Sequence, residues 1–248
     1  MSDIGTLRQN GYSLAGHYLR RWRVQIYRRE RFRRLQEQRK TENEEGFTFR
    51  GFDELKCIFV HVPKCAGIAV CKSLFGNLGG GHKPLKQYQI VYSPAEFISY
   101  FKFTFVRNPW DRVVSAFFFL KKGGINEDNR TWAAANLSPY NDFPGFVRAG
   151  LQRREILSYM HFRPQCDFVC LKGNQPAVDF IGRYESLEPD FAHICRRLKV
   201  ESRLLEANRN PSRERDYRDY YTEETRRIVS EVYADDIRAF AYSFDGPR

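Results

Sequence analysis

Two short segments of this chain combine residue types that hold anions. The first, His61-Val62-Pro63-Lys64-Cys65-Ala66-Gly67, lies between the apolar run Cys57-Ile58-Phe59-Val60 and a helix-forming stretch from Ile68 to Phe75. A loop that leaves a buried strand and enters a helix collects unpaired backbone N–H groups at the positive end of the helix dipole. Ala66 and Gly67 are small enough to let a phosphate or sulfate group approach the backbone of Cys65 through Ile68, and Lys64 adds a point charge for a leaving oxygen. The second segment, Phe103 to Phe117, puts Arg107 at the end of another apolar run and Ser115 two turns into the following helix. A guanidinium fork and a hydroxyl suit a terminal phosphate. Arg112, three residues before Ser115, shares its helix face and either adds to that grip or supports the loop.

A nucleoside-triphosphate loop of the form GxxxxGK[ST] is the obvious competitor. The nearest match, Gly76-Asn77-Leu78-Gly79-Gly80-Gly81-His82-Lys83, carries His82 where the lysine belongs, which disfavours an ordinary ATPase or GTPase. The six cysteines, at 57, 65, 71, 166, 170 and 195, include no C-x-x-C pair and fit no common zinc spacing, so they read as reduced thiols and no metal is expected.

The elements that position these residues follow from hydrophobic patterning. Cys57 to Val60 and Phe101 to Val106 read as buried strands, each followed by a loop and a helix, with Pro109 near the first turn of the second helix. A third strand is expected at Asp179 to Tyr184 and a helix from Leu187 to Leu198. Thr222 caps a closing helix that carries Val229, Val232, Tyr233, Ile237 and Phe240 at helical spacing. Repeated strand-loop-helix units imply an α/β fold, a central parallel sheet flanked by helices. The chain has 248 residues, of which 42% are hydrophobic, including 21 Phe and 14 Tyr, enough to build a core and too few residues for two full domains at roughly 150 apiece.

The net charge of +11 is uneven. Residues 1–40 carry eleven Arg or Lys against three acids, a net of +8, which leaves +3 for the other 208 residues. Tyr18 to Lys40 spaces Leu19, Trp22, Ile26, Tyr27 and Phe32 at threes and fours, as in a helix with one apolar stripe. Such a basic helix could lie on anionic lipid, touch a polyanion or pack on its own protein; no nucleic-acid motif accompanies it. The expected division is a basic extension and polar linker, 1–50, followed by one domain, 51–248. The start of the chain shows no secretory signal, so the expected location is cytoplasmic, with the arm able to reach a membrane surface.

The run FVRNPWDRVVSAF, about forty residues after a strand ending HVPKCAG, resembles the carbohydrate sulfotransferase family, and the likeness extends over roughly residues 55 to 245. The His161-Phe162-Arg163-Pro164-Gln165 segment, the Val178 to Leu187 stretch and the Tyr220 to Phe244 ending are similar to its chondroitin 4-sulfotransferase and heparan 2-O-sulfotransferase-like branch, in its bacterial form. The resemblance implies a P-loop-like three-layer fold and transfer of a sulfuryl group from 3′-phosphoadenosine 5′-phosphosulfate (PAPS) to a carbohydrate hydroxyl. By the same resemblance Lys64 and the loop through Ile68 bind the 5′-phosphosulfate, Lys64 assists the leaving oxygen, and Arg107 with Ser115 holds the 3′-phosphate. His82 falls in the interval where such enzymes place the base that deprotonates the acceptor, with His161 in reserve. His161 and Arg163 otherwise line the acceptor cleft, and Ser212 and Arg213 belong to a late loop over the nucleotide. The first loop departs from the family pattern PKTGGTS, having Cys65, Ile68 and Ala69 where relatives carry hydroxyl or small residues. Two other readings of the same residues stay open: a non-catalytic glycan-binding protein on this fold, and a P-loop-related kinase.

Overall fold

The computed structural model describes residues 10–43, 46–205 and 215–247. The chain forms two compact units, residues 1–106 with 166–209 and residues 107–165 with 210–248. The first unit contains the sheet. Among the described residues it has three parallel strands in the order β1 (Cys57–Val60), β2 (Phe101–Val106) and β3 (Phe180–Arg183). Every residue of β1 is buried, and so is every residue of β2 after Phe101, which is why both read as runs of apolar residues instead of alternating ones. The helices Gly67–Phe75, Leu85–Val91 and Leu187–Leu198 belong to the same unit. The expected α/β class, with a central parallel sheet flanked by helices, is the observed one. The third strand is two residues shorter than its pattern predicts.

The polar residues inside β2 are satisfied where they stand. Thr104 Oγ1 donates to the Val60 carbonyl at 2.8 Å, a tie from β2 to β1. Lys102 is fully buried and donates through Nζ to the carbonyls of Phe97 and Tyr100, at 3.0 and 2.7 Å, while pairing with Asp179 at 3.2 Å. Burial pulls this ammonium below its ordinary pKa, and Asp179 partly offsets the effect. The Asp179 carboxylate also accepts from the Lys102 backbone N–H at 2.7 Å, so one residue pins the entry of β3 to β2. Gly182 is a packing requirement: a Cβ there would come within 2.5 Å of the Phe105 ring.

The N-terminal arm is not a free extension. Its helical pattern breaks at Arg28 into helices Leu14–Tyr27 and Arg29–Glu37, and the first is capped by Ser13. One face of the arm packs on the 85–100 segment of its own unit. His17 is buried, with Nε2 donating to the Tyr92 carbonyl at 3.0 Å and Nδ1 accepting from Tyr12 Oη at 3.1 Å. Arg21 donates to the Ile90 and Val91 carbonyls, and Gln36 donates to Val91, so the arm satisfies carbonyls at the end of a helix. Arg39 bonds two carboxylates, Asp53 at 2.7 and 2.8 Å and Glu96 at 2.6 Å. The expected polar linker is likewise structured at its end: Thr48, Phe49 and Phe52 are buried, and residues Arg50–Glu54 are helical. Its sequence reads as polar because the two aromatic anchors are isolated among charges.

The second unit is helical apart from a short antiparallel pair, Tyr242–Ser243 with Gly246–Pro247. Asn108 caps the helix Pro109–Lys121 by accepting the Trp110 N–H at 3.1 Å. The helices Glu127–Leu137, Phe143–Ala149 and Arg154–Ser158, which the pattern analysis leaves unassigned, supply much of an aromatic core that includes Trp110, Phe117, Phe143, Phe146, Phe162 and Tyr233. The closing helix begins at the expected cap, Thr222, but ends at Val232 and resumes as Ala234–Ala239. Tyr233 interrupts it with φ −109° and ψ 28°, its hydroxyl donating to the Phe162 carbonyl at 2.6 Å.

The Arg39 clamp makes the arm's docking acid-sensitive. Burial alone would raise the Glu96 pKa, but the Arg39 and Ser93 hydrogen bonds outweigh it and hold the carboxyl at about 2, against an ordinary 4.5. Because the folded value is the lower one, its stabilisation is present above about pH 4.5 and is lost as pH falls toward 2. Arg39→Met strands two half-buried carboxylates and is expected to cost about 2–3 kcal/mol in urea unfolding. It should also flatten the acid limb of the stability profile.

Candidate active site

In the first unit, the loop after β1 enters the helix Gly67–Phe75 through strained backbone. Lys64 has φ +70° and Ala66 φ +61°, both left-handed for residues with a Cβ. Such strain costs roughly 1–2 kcal/mol per residue and gathers at sites that bind or react. Ala66 occupies the cap position and no side chain caps the helix, whose ladder starts with Val70 N–H to the Ala66 carbonyl at 3.1 Å. The amide groups of Gly67, Ile68 and Ala69 therefore precede the first rung, at the positive end of the helix dipole. Cys65 is buried and its thiol faces the Pro63 carbonyl at 3.6 Å, so this residue can serve a ligand through its backbone alone. The hydroxyls absent from positions 65, 68 and 69 are not replaced by Ser73, which donates to the Ala69 carbonyl at 2.7 Å and accepts from Leu205 N–H at 2.8 Å.

His61 connects this loop to the histidine singled out between the two segments. A Cβ on Gly67 would lie 1.9 Å from His61 Cδ2 and 2.0 Å from Nε2, so the imidazole sits directly on the backbone of the helix start. The other side of the cluster is His82, whose ring centroid is 4.1 Å from that of His61. His82 Nδ1 is 3.2 Å from the His61 carbonyl. A carbonyl only accepts, so Nδ1 carries the proton and Nε2 is the basic nitrogen. The glycine-rich segment that presents His82 is held by Asn77, which accepts from Gly79 N–H at 2.8 Å, and by Thr48 N–H donating to the Gly79 carbonyl at 3.0 Å. Gly79 and Gly81 adopt φ +58° and +65°, turn geometry and not a phosphate loop between strand and helix.

The second segment lies in the second unit. Arg107 is nearly buried, and its Nε donates to Asp111 at 2.8 Å, which sets the plane of the guanidinium fork. Gln165 fixes the Arg107 backbone on both sides: its Oε1 accepts the Arg107 N–H and its Nε2 donates to the Arg107 carbonyl, each at 2.9 Å. Gln165 is held in turn by its own N–H, which donates to Asp236 at 2.7 Å. Ser115 is half-buried, and among the described residues its hydroxyl bonds to no protein group. Arg112 is fully buried beside Tyr233, which makes it a support within the core.

The other candidate residues are His161, Arg163, Ser212 and Arg213. His161 is buried, with its ring against Phe119 and Tyr159 at 5.1 and 5.4 Å, and Arg163 donates to the Ser158 carbonyl at 3.2 Å. His161 is thus packed in the second unit and Arg163 is half-exposed, while Gln165 of the same segment holds the Arg107 backbone. Ser212 and Arg213 lie outside the described residues. The six cysteines are buried free thiols, and burial pushes the Cys57 and Cys71 thiols up, away from reactive thiolate. Among the described residues no cluster has the composition of a metal site, and no helix is long and apolar enough to cross a membrane.

The sequence reading missed Gln165, Asp111 and Asp236 as functional residues. An amide or carboxylate that holds another residue's backbone has no local signature, although the i, i+4 spacing of Arg107 and Asp111 was available. Gln165→Leu leaves the buried Arg107 N–H and carbonyl unpaired and is expected to cost about 2–4 kcal/mol in urea unfolding. Gly67→Ala is expected to displace His61, with destabilisation of about 1–3 kcal/mol.

An uncharacterized protein of Archaeoglobus fulgidus is 32% identical over 108 residues, covering 44% of this chain and 75% of the relative. No solved structure matches the chain. Residues 47–243 match the sulfotransferase family, a span that includes both strand-to-helix loops and the histidine between them, and the chain belongs to that family of sulfuryl-transfer enzymes.

Proposed function

We propose that the protein is a carbohydrate O-sulfotransferase that uses PAPS and releases adenosine 3′,5′-bisphosphate. The observation that carries this reading is the contact of His82 with His61 and of His61 with the Gly67 backbone, which ties a basic nitrogen to a helix start that no side chain caps. In this reading each unit supplies residue types suited to one anionic end of the donor. The N–H groups of Gly67 and Ile68 take the 5′-phosphosulfate, and the Arg107 fork with Ser115 takes the 3′-phosphate.

In the transfer, the acceptor hydroxyl oxygen forms a bond to sulfur as the bond from sulfur to the bridging phosphate oxygen breaks. His82 Nε2 receives the hydroxyl proton, and the bisphosphate leaves with the electron pair of the broken bond. Lys64 stabilises the charge that grows on the leaving oxygen. The His61 carbonyl holds the tautomer that makes Nε2 the base and steadies the imidazolium once it forms. Positioning and charge stabilisation supply most of the acceleration.

The test is calorimetric titration with adenosine 3′,5′-bisphosphate and with ATP, followed by transfer from PAPS to glycan acceptors. Binding of the bisphosphate alone is expected, weakened about 100-fold in Arg107→Ala. His82→Ala should bind normally but transfer about 100- to 10,000-fold more slowly. ATP bound as tightly as the bisphosphate, or transfer undiminished in His82→Ala, overturns the assignment.

A further inference from the structure

The arm helix Leu14–Tyr27 has a second face that its packing does not use. His17, Arg21 and Val24 point toward the body of the first unit. Leu14, Tyr18, Trp22 and Ile26 recur every four residues on another side, with Leu19 beside them. They are 38, 59, 50, 40 and 48% exposed respectively, a continuous apolar stripe over nearly four turns of helix. Large apolar side chains exposed in a row, in place of scattered singly, mark an interaction surface.

The surroundings of the stripe are cationic. Arg23, Arg28, Arg29, Arg31, Arg33 and Arg34 are all exposed, and Glu30 and Glu37 are the acids of the two arm helices. A shallow concavity where the two helices meet is lined by Ile26 and Tyr27 together with Arg28, Arg29, Glu30 and Arg31, so apolar groups share one depression with three cations and one acid.

We infer that this stripe is a membrane-docking surface, and that its occupant is the headgroup and upper acyl region of an anionic bilayer. Charge and apolar surface together select that occupant. A soluble polyanion would use the arginines and leave five apolar side chains in water. A second copy of the chain would cover the stripe but would bring two arms of net charge +8 together. An anionic bilayer takes both features, with the apolar stripe at the acyl boundary and the arginines among the phosphates. Trp22 and Tyr18, amphipathic rings on the stripe, suit that interface. The helix lies in the plane of the surface, because its opposite face stays bound to the Tyr92 and Val91 carbonyls.

The test uses the full chain at pH 7.5, in flotation with vesicles of phosphatidylcholine alone or mixed with phosphatidylglycerol. Binding to the anionic vesicles only, lost at high salt, is the expected result, with Trp22 emission shifted to the blue. Trp22→Ser and the double variant Arg33→Glu with Arg34→Glu should each reduce bound protein about 10-fold, with circular dichroism and bisphosphate titration unchanged. Equal binding to both vesicle types, or unaltered binding of Trp22→Ser, overturns the inference. So does a dimer in light scattering that Trp22→Ser converts to monomer. The bisphosphate titration is independent of the vesicles, so failure of the donor assignment and failure of this surface are separate results.

Discussion

The contact of the His61 imidazole with the Gly67 backbone sets the geometry on which the rest of the first unit's chemistry depends. No side chain beyond hydrogen fits at position 67, since a Cβ would fall inside the ring at 1.9 Å. That contact fixes the height of the loop over the strand it leaves. It also presents the far face of His61, and its carbonyl, to His82. The left-handed Lys64 and Ala66 are tolerated because the buried residues on either side leave the chain no cheaper path. A site built this way has its donors oriented before any ligand arrives, which is where an enzyme of charge stabilisation gains most.

The second unit solves a matching problem by other means. Arg107 must keep its guanidinium plane while nearly buried, and it does so through Asp111 on the side chain and Gln165 on the backbone. Gln165 is itself tied to Asp236 in the short helix after Tyr233. The interruption at Tyr233 follows from this: an unbroken closing helix would carry Asp236 to a different angle from the one at which it receives the Gln165 amide. In both units a residue that could touch ligand is held by one that does not.

The basic arm divides its side chains between the body of its unit and solvent. Its cations divide between those that satisfy carbonyls and carboxylates of the body, such as Arg21 and Arg39, and those that stay in water. The exposed Tyr18, Trp22 and Ile26 are not leftovers of a poorly formed core, because the buried His17 and Tyr12 already complete the packed side.

The sequence by itself determined the parallel strands, the two strand-to-helix loops and the cap at Thr222. Each is written in consecutive residues whose local chemistry has one reading: apolar β-favouring runs, small residues before a helix, and a hydroxyl with acids behind it. It also placed Lys64, Arg107, Ser115 and His82 as candidates. Only the tertiary structure decided what holds them. The His61–Gly67 contact and the Gln165 clamp join residues far apart in the chain, and the docking of the arm joins Arg39 to Glu96, 57 positions away. Such contacts leave no periodicity, because any polar residue of the right reach could have made them from elsewhere in the chain. For the same reason the burial of His161 against Phe119 and Tyr159 could not be read from its polar motif.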